Sequence, residues 1–271
     1  MHEPDAENRR WLRRYAPAEG AARRLVCFPH AGGSATFFTP LARVLAPGTD
    51  VLAVQYPGRQ DRLDEACVDQ IAPLADRITD TLAGSTDLPL AFFGHSMGAV
   101  VAFEVARRLR RAHQVRLTRL FVSGRRAPSR HRPSRVHSLA DRELLAEVGA
   151  LGGTDTRLLD DPGVRAMILP AIRADYRAVE TYRYEPGQDL DCPVSVLFGE
   201  SDPQTARDDA AEWGRHTDKD VEVHMFPGGH FFLVDQAPRI TGLLAEHLAS
   251  QTEPVRSSWH AAAVRRAPTD R

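Results

Sequence analysis

Residues 88–113, LPLAFFGHSMGAVVAFEVARRLRRAH, run from a short apolar segment straight into a long amphipathic one with no connecting loop. A strand followed this abruptly by a helix must reverse direction within two or three residues. At so sharp a turn, bulky side chains two positions either side of the apex would clash. Gly94 and Gly98 flank Ser96 at that spacing, so the pentapeptide Gly94-His95-Ser96-Met97-Gly98 reads as a strained strand-to-helix elbow with the serine Oγ exposed at its tip. A helix packed back along the strand that precedes it is the start of a doubly wound, mainly parallel sheet.

The rest of the chain repeats the pattern. Apolar runs predict strands at 24–29, 51–56, 88–94, 117–124, 193–199 and 221–227. Helices are expected after the first strand (FFTPLARVLA), over 69–83, after the elbow, around 205–216 and at 236–249. The expected class is α/β, built as one domain over residues 23–250, with 1–22 as an N-terminal arm and 251–271 as a loose tail. Residues 136–187 interrupt the alternation with no convincing strand. Asp161-Pro162 marks a helix start, and Ile168, Ile172, Tyr176 and Val179 follow at helical spacing. Some fifty residues of helix and loop at one end of a sheet read as a helical lid over the crevice.

Composition narrows the function. The 271 residues are 42% apolar and 26% charged with a formal net charge of −1, which argues against disorder and against a global polycation for nucleic acid. No stretch approaches 18 uninterrupted apolar residues, and the N-terminus has no apolar secretory core. Cys27, Cys67 and Cys192 are widely spaced and form no CxxC pair. A reduced, cytoplasmic, monomeric protein is expected, with neither membrane nor nucleic acid as partner.

A serine is a poor nucleophile until a base, held by an acid, takes its proton. Elbow serines take their partners in the chain order serine, acid, histidine. His230, in the glycine-rich loop after the last strand, is the expected base; His224 lies within a strand and His216 ends a helix. Asp202 follows VLFGES at a strand end and is the expected acid, with Glu200 and Asp235 as alternatives. Met97 N–H and an N–H of the loop Pro29-His30-Ala31-Gly32-Gly33-Ser34 would form the oxyanion hole, with Ala31 the chosen donor and Gly32 the alternative. That loop lacks the GK[ST] ending of a phosphate loop. His30 and His95 come with no ligand-spaced cluster, so neither metal nor cofactor is expected.

FPHAGGSATFF (28–38), VQYPGRQDRL (54–63), FFGHSMGAVVAFEVARRL (92–109), VLFGESDP (196–203) and FPGGHFFL (226–233) together resemble the stand-alone type II thioesterases of polyketide and non-ribosomal peptide biosynthesis. The resemblance implies an α/β-hydrolase fold with a helical lid. It also implies a triad of Ser96, Asp202 and His230, with Ala31 and Met97 as oxyanion donors. The implied activity is hydrolysis of aberrant or stalled acyl groups from the phosphopantetheine arm of acyl or peptidyl carrier proteins, without a cofactor. A serine carboxylesterase or lipase acting on small oxygen esters is the alternative, and a non-catalytic carrier-binding protein a further one.

Residues 105–135 hold eleven arginines and no acid, although Lys219 is the only lysine among the 35 basic residues. Arg107, Arg108, Arg110 and Arg111 read as a solvated helix face. Arg125, Arg126 and Arg130 run toward the lid and are candidates for contacting the carrier or its phosphate. In the lid, Met167, Ile172 and Tyr176 are candidates for an acyl pocket, with the lid's own packing as the alternative role.

Overall fold

The computed structural model describes residues 9–153, 161–187 and 189–250; the loose tail expected at 251–271 and the first eight residues of the arm lie outside them. Seven strands form one sheet: β1 (Leu12–Arg14), β2 (Arg23–Phe28), β3 (Thr49–Val54), β4 (Leu90–His95), β5 (Arg119–Ser123), β6 (Val194–Gly199) and β7 (Val221–Phe226). Their order is β1-β3-β2-β4-β5-β6-β7, all parallel except β1, which runs antiparallel to β3.

Strand alternation sends side chains to two cores. Val26, Phe28, Phe92, Leu120, Val122 and Val196 face one layer, and Leu25, Cys27, Ala91, Phe93, Phe121 and Leu197 the other. The first layer is closed by helices α2 (Ile71–Leu82) and α3 (Met97–His113), whose buried stripes include Leu74, Ile78, Val101 and Phe103. The second is closed by α1 (Thr39–Leu45) and by helices near the C-terminal end of the described chain. Burial on both faces is why these strands are continuous apolar runs rather than alternating ones.

Two expectations are corrected here. The arm of residues 1–22 contains a sheet strand: Leu12 pairs with Val54 and Arg14 with Leu52. Trp11 is buried beside it, with the Arg62 guanidinium 4.2 Å above its ring. The sequence hides this strand because LRR has only one apolar residue, as an edge strand covered by charge requires. The helix expected at 205–216 is a single turn and a half, α6 (Arg207–Ala211), followed by a 3-10 segment at Glu212–His216.

The insertion between β5 and β6 is helical among the described residues. It contains α4 (Asp141–Ala150) and the long α5 (Pro162–Thr181). Leu144, Leu145, Val148 and Ile172 form its small core. Asp161 caps α5 as its sequence suggests, its side chain accepting from Gly163 N–H (2.7 Å) and Val164 N–H (3.0 Å). The C-terminal end of α5 is held by Glu180, whose carboxylate accepts from the N–H groups of Val136 (2.8 Å) and His137 (3.1 Å). After β7 come the short α7 (Phe232–Asp235) and α8 (Ala237–Ala249).

Chain order places β2 and β4 side by side while their following connections depart to opposite sides, toward β3 and toward β5. Between those two strand ends lies the crevice where open parallel sheets bind ligands. An N-cap aspartate contributes about 1 kcal/mol to its helix. Asp161→Ala is therefore expected to speed amide exchange over 163–166 while leaving the strands protected, as read by hydrogen–deuterium exchange.

Candidate active site

Ser96 sits between β4 and α3 with φ +53° and ψ −115°, a conformation that costs a non-glycine residue of the order of 1–3 kcal/mol. The flanking glycines are there for space. A Cβ on Gly98 would lie 2.0 Å from the Phe28 carbonyl oxygen, and one on Gly94 2.3 Å from that of Gly98. Ser96 N–H donates to the Ser123 carbonyl at 2.8 Å, tying the apex to β5.

The histidine and the acid reach Ser96 from two loops that meet. Gly199, at the end of β6, lies so close to the loop after β7 that a Cβ on it would be 2.2 Å from the Gly229 carbonyl. Ser201 N–H bonds the Gly228 carbonyl at 2.9 Å. This contact brings the Asp202 side chain, fully buried, to His230, also buried. His230 Nδ1–H donates to Asp202 Oδ1 (3.0 Å) and Oδ2 (3.1 Å), and Ser96 Oγ–H donates to His230 Nε2 at 3.0 Å. A carboxylate accepts only, so the imidazole proton sits on Nδ1 and Nε2 is left as a base toward the serine.

The alternatives are elsewhere. Glu200 and Asp235 are exposed. His216 is locked between Asp189 (Nδ1, 2.9 Å) and Ser129 (Nε2, 2.9 Å). His224 lies in β7 beside Glu222 and His247, the one group of three or more His, Cys, Asp or Glu among the described residues with donor atoms mutually within 4.8 Å.

In the loop after β2, Gly33 N–H is used by the His30 carbonyl (2.9 Å) and Gly32 N–H by Asp175 Oδ2 (2.7 Å). The Gly32 N–H, the alternative oxyanion donor, is thus already engaged by the lid helix. Met97 opens α3, and the first N–H groups of a helix have no partner within it. Ala31, Ser96, Met97 and His230 line one cleft of about 80 Å³, closed on the lid side by Tyr176 and Val179.

His30 and His95 are both buried, and burial drives their pKa values down, His30 to about 3 and His95 well below its ordinary value. The rings of His30 and His95 lie 5.9 Å apart, and those of His95 and His230 5.0 Å apart. His95 Nδ1 shares a hydrogen bond with Ser123 Oγ (3.0 Å), while its Nε2 is buried without a partner.

The arginine run is not a run of free charge. Distant segments supply acids: Asp76 to Arg108 (2.6 Å), Asp191 to Arg110 (3.3 Å) and Arg116 (3.0 Å), and Glu212 to Arg130 (3.2 Å). This corrects the solvated reading of Arg107–Arg111 in part, since Arg107 and Arg108 both pair with Glu104 on their own helix. Arg125 and Arg126 lie deeper than Arg130, Arg132 and Arg135. They line the Ser96 cleft, Arg126 donating to Gln204 Oε1 (2.8 Å), and burial lowers the Arg125 pKa to about 10.

Of the lid candidates, Tyr176 alone borders the cleft, its hydroxyl pushed up to about 12 by burial. Ile172 packs in the lid core and against Gly32, and Met167 is 46% exposed and is not among the residues lining the cleft.

Sequence reading missed the buried pair Arg59–Asp175. Arg59 Nη1 and Nη2 donate to Asp175 Oδ2 (2.6 Å) and Oδ1 (2.9 Å). Its signal was an acid on the same face as Ile172 and Val179, where an apolar stripe predicts none.

A strained elbow serine hydrogen-bonded to a buried His–Asp pair, on a doubly wound sheet under a helical lid, defines an α/β-hydrolase. A family model for the thioesterase domain matches residues 23–248. Thioesterase PikA5 of Streptomyces venezuelae is 47% identical over 239 residues, covering 88% of this chain and 85% of that protein. Among solved structures, the type II thioesterase BorB from the borrelidin biosynthetic cluster is 49% identical with a TM-score of 0.83, covering 88% of this chain and 97% of its own. RedJ, the thioesterase of the prodiginine pathway in Streptomyces coelicolor, is 37% identical with a TM-score of 0.80, covering 86% and 93%. The chain belongs to the thioesterase family, among its type II members. No helix among the described residues is long and apolar enough to cross a membrane.

Two predictions follow from this geometry. Gly98→Ala is expected to abolish soluble folded protein or activity, because the Phe28 carbonyl belongs to a central strand and cannot retreat; circular dichroism and turnover check it. The buried neutral His30 and His95 titrate near 6.5 only in the unfolded chain, so stability is full above that pH and falls as pH drops through it. The slope should approach about 1.4 kcal/mol per pH unit for each histidine. His30→Phe should flatten it, as urea unfolding between pH 7 and 5 will show.

Proposed function

We propose that this protein hydrolyses acyl thioesters carried on the phosphopantetheine arm of acyl or peptidyl carrier proteins, clearing aberrant or stalled acyl groups from a polyketide or non-ribosomal peptide synthase. The observation that carries this reading is the unbroken hydrogen-bonded run Asp202–His230–Ser96 in a chain of the type II thioesterase family.

Ser96 Oγ attacks the thioester carbonyl as His230 Nε2 takes its proton. The tetrahedral oxyanion is held by the N–H groups of Ala31 and Met97. Collapse expels the pantetheine thiolate, which receives the proton from His230, and leaves an acyl-serine. His230 then deprotonates a water that attacks the ester, and returns that proton to Ser96 Oγ as the C–O bond breaks, freeing the acid and regenerating the enzyme. Asp202 holds the imidazole tautomer and stabilises the imidazolium. No metal or cofactor enters these steps. Arg125 and Arg126, facing the cleft, offer positive charge to the polar groups of the incoming arm, and Tyr176 forms part of the acyl-facing wall.

Hydrolysis of one acyl group presented as acyl-phosphopantetheinyl carrier protein and as the p-nitrophenyl ester tests the reading. The expected result is a kcat/KM preference for the carrier thioester and loss of at least a thousandfold in Ser96→Ala. Faster ester turnover with little carrier hydrolysis would instead identify an oxygen esterase. Arg125→Gln is expected to raise KM for the carrier substrate several-fold and to change ester hydrolysis less.

A further inference from the structure

The lid helix α5 is bonded to the loop that is to hold the oxyanion. Asp175 accepts the Gly32 N–H at 2.7 Å. Its two oxygens also take the fork of Arg59, which donates in turn to the Gly33 carbonyl at 3.1 Å. Both partners are buried, the Arg59 side chain 7% and the Asp175 side chain 2% exposed. One turn earlier on α5, Ile172 presses on the same loop, where a Cβ on Gly32 would lie 2.8 Å from Ile172 Cγ1. Gly32 has φ +75°, so the loop turns through a conformation that glycine alone adopts easily.

These contacts bracket Ala31. Its carbonyl joins the peptide plane whose N–H Asp175 holds, and on its other side the Pro29 carbonyl accepts from Tyr56 Oη at 3.2 Å. A bidentate arginine–carboxylate pair fixes direction as well as distance. Misplacing an oxyanion donor costs rate rather than substrate binding, because the charge it serves exists only in the transition state.

We infer that Asp175 and Arg59 are positioning residues for the oxyanion hole, so that seating of the lid helix and competence of the Ala31 N–H are one event. This inference rests on the acyl-transfer reading of Ser96. It adds that the lid acts on the chemical step as well as on access to the cleft.

Removing one partner alone leaves a buried charge, which costs a fold several kcal/mol, so the test uses two designs. Asp175→Asn keeps an acceptor for Gly32 N–H but weakens the hold on Arg59. The double variant R59M/D175L replaces the ion pair with apolar bulk of similar size. For each, circular dichroism and thermal unfolding establish the folded fraction. Carrier-thioester kcat and KM are then measured, together with the affinity of an alkyl boronic acid, whose tetrahedral serine adduct occupies the oxyanion hole.

The expected result is a folded double variant with kcat reduced at least thirtyfold, KM within threefold of the parent, and boronate affinity reduced in parallel. Asp175→Asn should lie between it and the parent. A folded double variant with parental kcat and boronate affinity overturns the inference, as does a loss confined to KM. Ser96→Ala, measured alongside, separates the two readings. If it retains turnover, the acyl-serine mechanism itself has failed; if it is inactive while the double variant works normally, only the positioning role has.

Discussion

The geometry of this protein depends on one steric fact: α3 passes so close to β2 that residue 98 has no room for a side chain beyond hydrogen against the Phe28 carbonyl. That approach sets where α3 begins, and so where Ser96 is lifted out of the sheet. It also places the helix start beside the loop leaving β2, so that the Met97 and Ala31 amides share one cleft. A second close approach, Gly199 against the Gly229 carbonyl, performs the same service on the other side by joining the acid loop to the histidine loop. The site is therefore fixed by backbone contacts at two glycines, with hydrogen bonds completing what packing begins.

Much of this could be read in the residues. The six long strands are apolar runs because both sheet faces are covered, and that is visible without coordinates. Ser96, Asp202 and His230, which the structure joins in one hydrogen-bonded run, could be singled out because each follows a strand end, where chain order and fold leave few choices. What stayed hidden was of a different kind. Strand β1 forms from Leu-Arg-Arg, whose place in the sheet comes from pairing with β3 and from Trp11 lodged under Arg62. No local pattern encodes that. Met167 and Ile172 share the lid helix with Tyr176, but helical spacing gives a face, and only packing says whether that face meets the cleft or another helix.

Charge was the least legible property. A sequence window counts arginines but not the acids that fold against them. Arg108, Arg110, Arg116 and Arg130 are neutralised by Asp76, Asp191 and Glu212, drawn from helices and loops far along the chain. Exposed pairs of this kind contribute little stability, yet they decide what potential a partner meets. The density of arginine between 105 and 135 thus resolves into a largely compensated surface and two inward-facing groups, Arg125 and Arg126, in the cleft that holds Ser96.

The packing of Ile172 against Gly32 bears on how such enzymes can diversify. A lid that touched the body only at its hinges could be exchanged between relatives like a cassette. Here the inner face of α5 is complementary in shape to a residue with no side chain, so lid and loop form one fitted pair. Grafting a foreign lid would have to carry over the residue that meets Gly32 along with it. The half-exposed face around Met167, which does not line the cleft, is where sequence can drift with less effect on the chemistry below.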